Sequence, residues 1–236
     1  MLLRRSRVPL IALALVVGPV LAGCSGSEEE SGESATELLD RAKTALDEAS
    51  SAHFVLASEG APSTGTALVG GEGDIARPAS FTGTLKVVAL GSTVDLDVVS
   101  VDGTVYAQLP FAPNFTVIDP AQFGIGDPGA LIDPDTGISQ LFTEARDAEL
   151  GEERRVDGEV VREVTAELPG DLVQELLTSQ DPSQAVQATF SIASESGELR
   201  RATLTGPFFA AGEDGTYTLE LSDFGADVEI TAPATG

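Results

Sequence analysis

From Gly83 to Leu109 the chain reads "GTLKVVAL", "TVDLDVV" and "TVYAQL", three short alternating stretches separated by Gly91-Ser92 and Asp102-Gly103. Two-residue turns of this kind between runs of β-branched and aliphatic residues specify hairpins. Consecutive hairpins build an antiparallel meander, the strongest constraint in the sequence. In "TVDLDVV", Val94, Leu96 and Val98 share one face and Asp95 and Asp97 the other, so one side of the sheet is apolar and the other wet. The signature returns at Asp157-Gly158, between "ERRV" and "EVVREVTAEL", and at Ser196-Gly197, between "TFSIAS" and "ELRRATLT". "TYTLELS" repeats the alternation with Tyr217, Leu219 and Leu221 on one face.

Helical signals interrupt the strands. Ser34 followed by Glu37 fits a capping box, and Leu38, Leu39, Ala42, Leu46 and Ala49 recur at helical spacing as far as Ser50. Between Asp119 and Ala145 three Asp-Pro pairs, at Asp119, Asp127 and Asp133, suit N-cap followed by first helical residue and predict short helices. "PGDLVQELLTS" places Leu172, Val173, Leu176 and Leu177 on one face. The expected fold class is α+β: a single long, curved antiparallel sheet whose apolar face is covered by helices, in one domain over residues 34–236.

The N-terminus has a different purpose. Arg4, Arg5 and Arg7 precede an apolar run from Val8 to Leu21, the arrangement of a secretory signal. That run is shorter than the roughly 20 residues a membrane-spanning helix needs. Leu21-Ala22-Gly23-Cys24 matches a bacterial lipobox, and Cys24 is the only cysteine of the chain. The reading is therefore a signal peptide over 1–23, an acylated Cys24 at the head of an acidic Ser/Gly/Glu tether over 24–33, and anchorage on the extracytoplasmic face of the cell membrane. A lone cysteine rules out an intrachain disulfide and CxxC chemistry. Cleavage removes three arginines from a chain of net charge −25, leaving 10 basic against 38 acidic residues. Such a surface repels nucleic acid, which is not expected as a partner.

Catalysis is poorly supplied. The one histidine, His53, stands where the first helix gives way to the first strand, and there is no G-x-S-x-G elbow. "DPDTGISQLFTE", from Asp133, resembles an EF-hand loop but has Ile138 where the sharp glycine turn belongs, so helix capping is the expected role of Asp133. Neither a metal nor another cofactor is expected, and the chain does not read as an enzyme. The abundant Val, Leu and Ala suit a filled core or an aliphatic cavity equally well.

Two long segments, "VDGTVYAQLPFAPNFTVIDPAQFGIGDPGALIDPDTGISQLFTEA" and "LRRATLTGPFFAAGEDGTYTLELSDFGADVEITAP", together with the lipobox, tether and "HFVLASEG", resemble the LppX/LprA/LprF/LprG lipoproteins of mycobacteria and related actinobacteria, in an LprG-like form. The resemblance implies a half-barrel sheet with helices on its concave face around a large hydrophobic cavity. It also implies a carrier that moves triacylglycerol or triacylated glycolipid outward from the inner membrane, with a major-facilitator transporter as partner. On that footing the expected lining is Leu85, Val87, Val94, Leu96, Val98, Leu172, Leu176, Tyr217, Leu219 and Leu221. The Pro- and Gly-rich segment from Phe111 to Phe142 is the expected mouth, with Phe115, Ile118 and Phe123 exposed. Two other roles compete: a filled-core lipoprotein scaffolding an envelope transporter, and a lipid esterase built around His53.

Overall fold

The computed structural model describes residues 32–61, 65–89, 91–123, 125–156 and 158–235. The signal segment, Cys24 and the tether as far as Ser31 lie outside the described residues, as do Leu90 and Asp157 of the hairpins.

The expected capping box is formed. Ser34 Oγ accepts from the Glu37 amide, and the Glu37 carboxylate accepts from the Ser34 amide at 2.8 Å, opening helix α1 (Ala35–Glu48). Strands β1 (Ser51–Glu59), β2 (Thr66–Ala76), β3 (Ser80–Ala89), β4 (Ser92–Val101), β5 (Thr104–Gln108) and β6 (Thr116–Ile118) then follow. After a long connection come α2 (Ser139–Thr143), β7 (Arg146–Val156), β8 (Glu159–Leu168), α3 (Gly170–Val173), β9 (Val186–Ala193), β10 (Leu199–Ala210) and β11 (Glu213–Ser222). All eleven strands belong to one open antiparallel sheet of order β6-β5-β4-β3-β2-β1-β11-β10-β9-β8-β7.

That order is two meanders laid side by side. The chain steps outward from β1 to the β6 edge, and from the β7 edge steps back until β11 pairs with β1, Leu56 opposite Leu219. The connection over residues 119–145 must therefore travel from one edge of the sheet to the other. A flat sheet of eleven strands is about 50 Å wide. The connection stays over the apolar face: its turns pack on β2, β3 and β4, and α2 packs against α1, which also touches β7 and β10. The buried face of α1 is Leu38, Leu39, Ala42 and Leu46, as the periodicity required.

The Asp-Pro pairs divide. Single 3-10 turns follow the first two, over Pro120–Phe123 and Pro128–Ala130, the second capped by Asp127 accepting from the Gly129 amide at 2.9 Å. Asp133 caps no helix. Its carboxylate accepts from the Asp135 amide at 2.9 Å and from the amide and hydroxyl of Thr136, each at 3.0 Å, so it closes a turn instead. Burial pushes this acid up, and those hydrogen bonds outweigh it and hold it below the ordinary carboxylate range.

Arg77 ties helix to connection. Its guanidinium donates to the carbonyl oxygens of Ala49 at 2.7 Å, Leu46 at 3.2 Å and Ile132 at 2.6 Å, so two carbonyls at the end of α1, one of them also accepting from the Ala49 amide, and one in the connection share one cation. Arg77→Met removes all three donors. It lowers unfolding free energy by about 2–3 kcal/mol, read as a drop in urea midpoint at constant slope.

Candidate functional site: an apolar cavity beneath the crossing connection

Between the sheet and the crossing connection lies a cavity of about 100 Å³. Its floor is laid by the central strands, Phe54 and Leu56 of β1 with Tyr217 and Leu219 of β11, flanked by Leu85 on one side and Ala202, Leu204 and Phe190 on the other. The roof is Ile125 to Pro128 together with Leu131, and the end wall is Leu141 and Phe142 of α2 with Leu176 and Leu177 beyond α3. Almost every lining group is aliphatic or aromatic.

Aromatic pairs stiffen the walls. Phe142 meets Phe190 edge-on with ring centroids 5.0 Å apart, and Phe208 meets Tyr217 edge-on at 5.1 Å. The Tyr217 hydroxyl donates to the Leu68 carbonyl at 2.6 Å, reaching across β1 to the bulged part of β2. Burial raises its pKa well above the ordinary phenol value, so it stays a neutral donor. The roof is held at both of its faces: the buried Ser100 hydroxyl of β4 donates to the Asp127 carboxylate at 2.5 Å, and Ile125 forms an antiparallel bridge with Leu177 beyond α3.

Four of the residues expected to line a cavity do so: Leu85, Leu176, Tyr217 and Leu219. Val87, Leu96, Val98 and Leu221 are buried in the core, and Val94 is half-buried against it. They share the apolar face as their alternation implied, but the connection and α1 cover that face on either side of the cavity. Leu172 faces a neighbouring groove instead. At the expected mouth, Ile118 and Phe123 pack half-buried on the core and Phe115 pairs with Thr235, so none of the three lines the cavity.

Sequence reasoning included Ile125 to Leu131 in the expected mouth segment without naming any of them as lining, and it missed the floor residues Phe54, Leu56, Phe190, Ala202 and Leu204. "HFVLAS" carries a legible signal for two of them, since Phe54 and Leu56 alternate with exposed residues.

The neighbouring groove, of about 430 Å³, shares Leu141 and Leu176 with the cavity. Asp135, Glu144, Asp171 and Glu175 line it against the single cation Arg146. A negative potential thus stands just outside the apolar space.

His53 is on the other side of the sheet. Its ring lies 2.8 Å from the Asp74 carboxylate in a cross-strand pair of β1 and β2. Neighbouring Phe54 lines the cavity, so the imidazole points away from it. A base in that position cannot serve a reaction inside the cavity.

The chain matches the profile of the LppX_LprAFG lipoproteins over residues 34–230. It belongs to that family. The lipoarabinomannan carrier protein LprG of Mycobacterium tuberculosis is 29% identical over 96% of this chain and 95% of its own length. LprG of Mycolicibacterium hassiacum is 31% identical over 95% of this chain and 97% of its own. Among solved structures, LprF from Mycobacterium bovis superposes with a TM-score of 0.70, covering 86% of this chain and all of that one at 18% identity. The open antiparallel sheet is therefore the LppX_LprAFG fold, and the expected family and fold class both hold. The family is one of lipid-carrying lipoproteins.

Proposed function

We propose that this chain is a lipid carrier held on the outer face of the cell membrane by acylated Cys24, one that takes acyl chains of a multi-acyl lipid between its sheet and the crossing connection and passes them across the envelope. The observation that carries this reading is the cavity itself, an apolar space lying over the centre of a sheet whose fold belongs to carriers. Binding would rest on burial alone, at about 25 cal/mol per Å² of apolar surface, with no bond made or broken.

A volume of about 100 Å³ is well short of an acyl chain; an engineered cavity of roughly 150 Å³ admits a benzene. Loading therefore requires the roof from Ile125 to Leu131 to rise, with Ser100 and Asp127 as its fixed point. The acidic groove beside the cavity favours a neutral headgroup such as that of triacylglycerol over an anionic glycolipid. The small volume also supports a second reading, a filled-core lipoprotein that scaffolds an envelope transporter. A major-facilitator transporter is the proposed partner in either case.

Native mass spectrometry of the mature chain purified from an actinobacterial host, followed by organic extraction, separates the two. Discrete adducts that release a multi-acyl lipid are expected. A clean apo mass that stays unchanged on incubation with triacylglycerol and with glycolipid would leave the scaffold reading standing alone.

A further inference from the structure

Among the described residues few large apolar side chains stand in solvent, and Leu109, Phe111 and Val117 all fall in the one hairpin that joins β5 to β6. Val55 and Leu150 are the others, single residues on separate strands. Phe111 is wholly exposed and has φ 67°, a left-handed conformation that disfavours a bulky residue. Around it the backbone is closed: the Ala112 amide donates to the Leu109 carbonyl at 2.9 Å, with Pro110 second and Phe111 third in the turn. In a type II turn the third place is ordinarily filled by glycine or asparagine. The Gln108 side-chain amide donates to the Ala112 carbonyl at 3.0 Å and fastens the loop a second time. A phenyl ring is thus held outward, on a strained and fastened turn, where it packs against nothing.

The electrostatics of the hairpin are equally distinct. From Thr104 to Ile118 there is no Asp, Glu, Lys or Arg, in a chain of net charge −25. This is the stretch of sheet edge best able to approach a surface without desolvating a charge.

We propose that the Leu109–Val117 tip is a membrane-docking element whose Phe111 ring enters the boundary between headgroups and acyl chains. A protein partner would call for a flat or concave patch with a polar rim to surround an anchor residue. Here the apolar groups form an exposed tip whose exposed polar neighbours, Asn114 and Thr116, carry no charge, which suits a fluid acceptor that closes around it. The docking does not depend on any cargo. Its use rests on the carrier reading: Ile118 is seven residues before Ile125, so the docked hairpin leads directly into the chain segment that roofs the cavity.

The chain has no tryptophan, so Phe111→Trp supplies a single reporter at an exposed site. On the full-length chain bound to phosphatidylcholine vesicles, its emission moves to shorter wavelength and is quenched by phosphatidylcholine brominated in the acyl chains. Val55→Trp, on the outer face of β1, stays at the aqueous wavelength and unquenched. Aqueous emission from Phe111→Trp while the protein co-sediments with the vesicles overturns the proposal. So does a blue shift without bromine quenching, which would mark contact with protein instead of lipid.

Discussion

Ala202→Phe is expected to lower lipid loading at least about tenfold while leaving the fold close to the parent in stability. Ala202 is buried on β10, opposite Leu219 of β11 and Phe190 of β9, and its methyl group forms part of the cavity floor. Because the space above it is about 100 Å³, a phenyl ring directed there occupies room that a roof displacement would otherwise open for an acyl chain. The ring enters a void, so it gains dispersion contacts with the lining and displaces few packed atoms. The unfolding free energy is expected to stay within about 1 kcal/mol of the parent, read from the urea midpoint. Lipid released per mole of protein is expected to fall at least about tenfold, the loss that follows when two buried methylenes' worth of contact, about 0.8 kcal/mol each, is denied.

Val98→Trp is the informative contrast. Val98 belongs to the same apolar face but lies in the packed core away from the cavity, 1% exposed and paired with Gly83 of β3 and Ala107 of β5. A larger ring there overpacks the core, costing about 1–3 kcal/mol, with the load of the folded fraction unchanged. If both variants lose lipid equally, the site is not the cavity beneath the connection.

That contrast also marks how much was legible. Two-residue turns and strict alternation disclosed the meander and, strand by strand, which side chains share the apolar face: Leu85 with Leu96, Tyr217 with Leu219. They could not disclose where along that face the cover stands off the sheet. The position of that gap depends on the path of residues 119–145 between two edges that only the β1–β11 pairing brings into one sheet. Local signals failed in the connection for a related reason. Three identical Asp-Pro pairs met different surroundings, so two became 3-10 turns and the third a turn closed by Thr136. At the hairpin tip the error was one of register. Because β6 is only three residues long, Phe115 and Ile118 are drawn half-buried to the sheet while Phe111 and Val117 face solvent. Arg77 had no legible role at all, since its three acceptors, on Ala49, Leu46 and Ile132, lie 28, 31 and 55 residues from it in sequence.

The largest loss of stability is expected at a position the hydrophobic pattern passes over. Gly73 of β2 and Gly83 of β3 face each other in the register, and the ring of Phe81 lies against both. A β-carbon on Gly83 would sit 2.2 Å from the Glu72 carbonyl oxygen, 2.6 Å from the Gly73 α-carbon and 2.8 Å from the Phe81 ring. On Gly73 it would sit 2.4 Å from the Thr82 carbonyl oxygen and 2.6 Å from the same ring. The nearest of these atoms are backbone, so rotating a side chain cannot relieve the overlap; the strands themselves must separate. An aromatic ring laid over strand glycines is a known device for fixing the register of a sheet. Here Phe81 is fully buried and in tilted contact with Phe54 at 5.5 Å. Gly83→Ala therefore breaks ladder hydrogen bonds and expels the ring together, and about 3–5 kcal/mol of stability is expected to go, among the larger effects a single methyl group produces. Since Phe54 is both the partner of Phe81 and a wall of the cavity, folded Gly83→Ala protein should also load less lipid. A urea midpoint within about 0.5 kcal/mol of the parent would show that β2 and β3 can part at this point without loss.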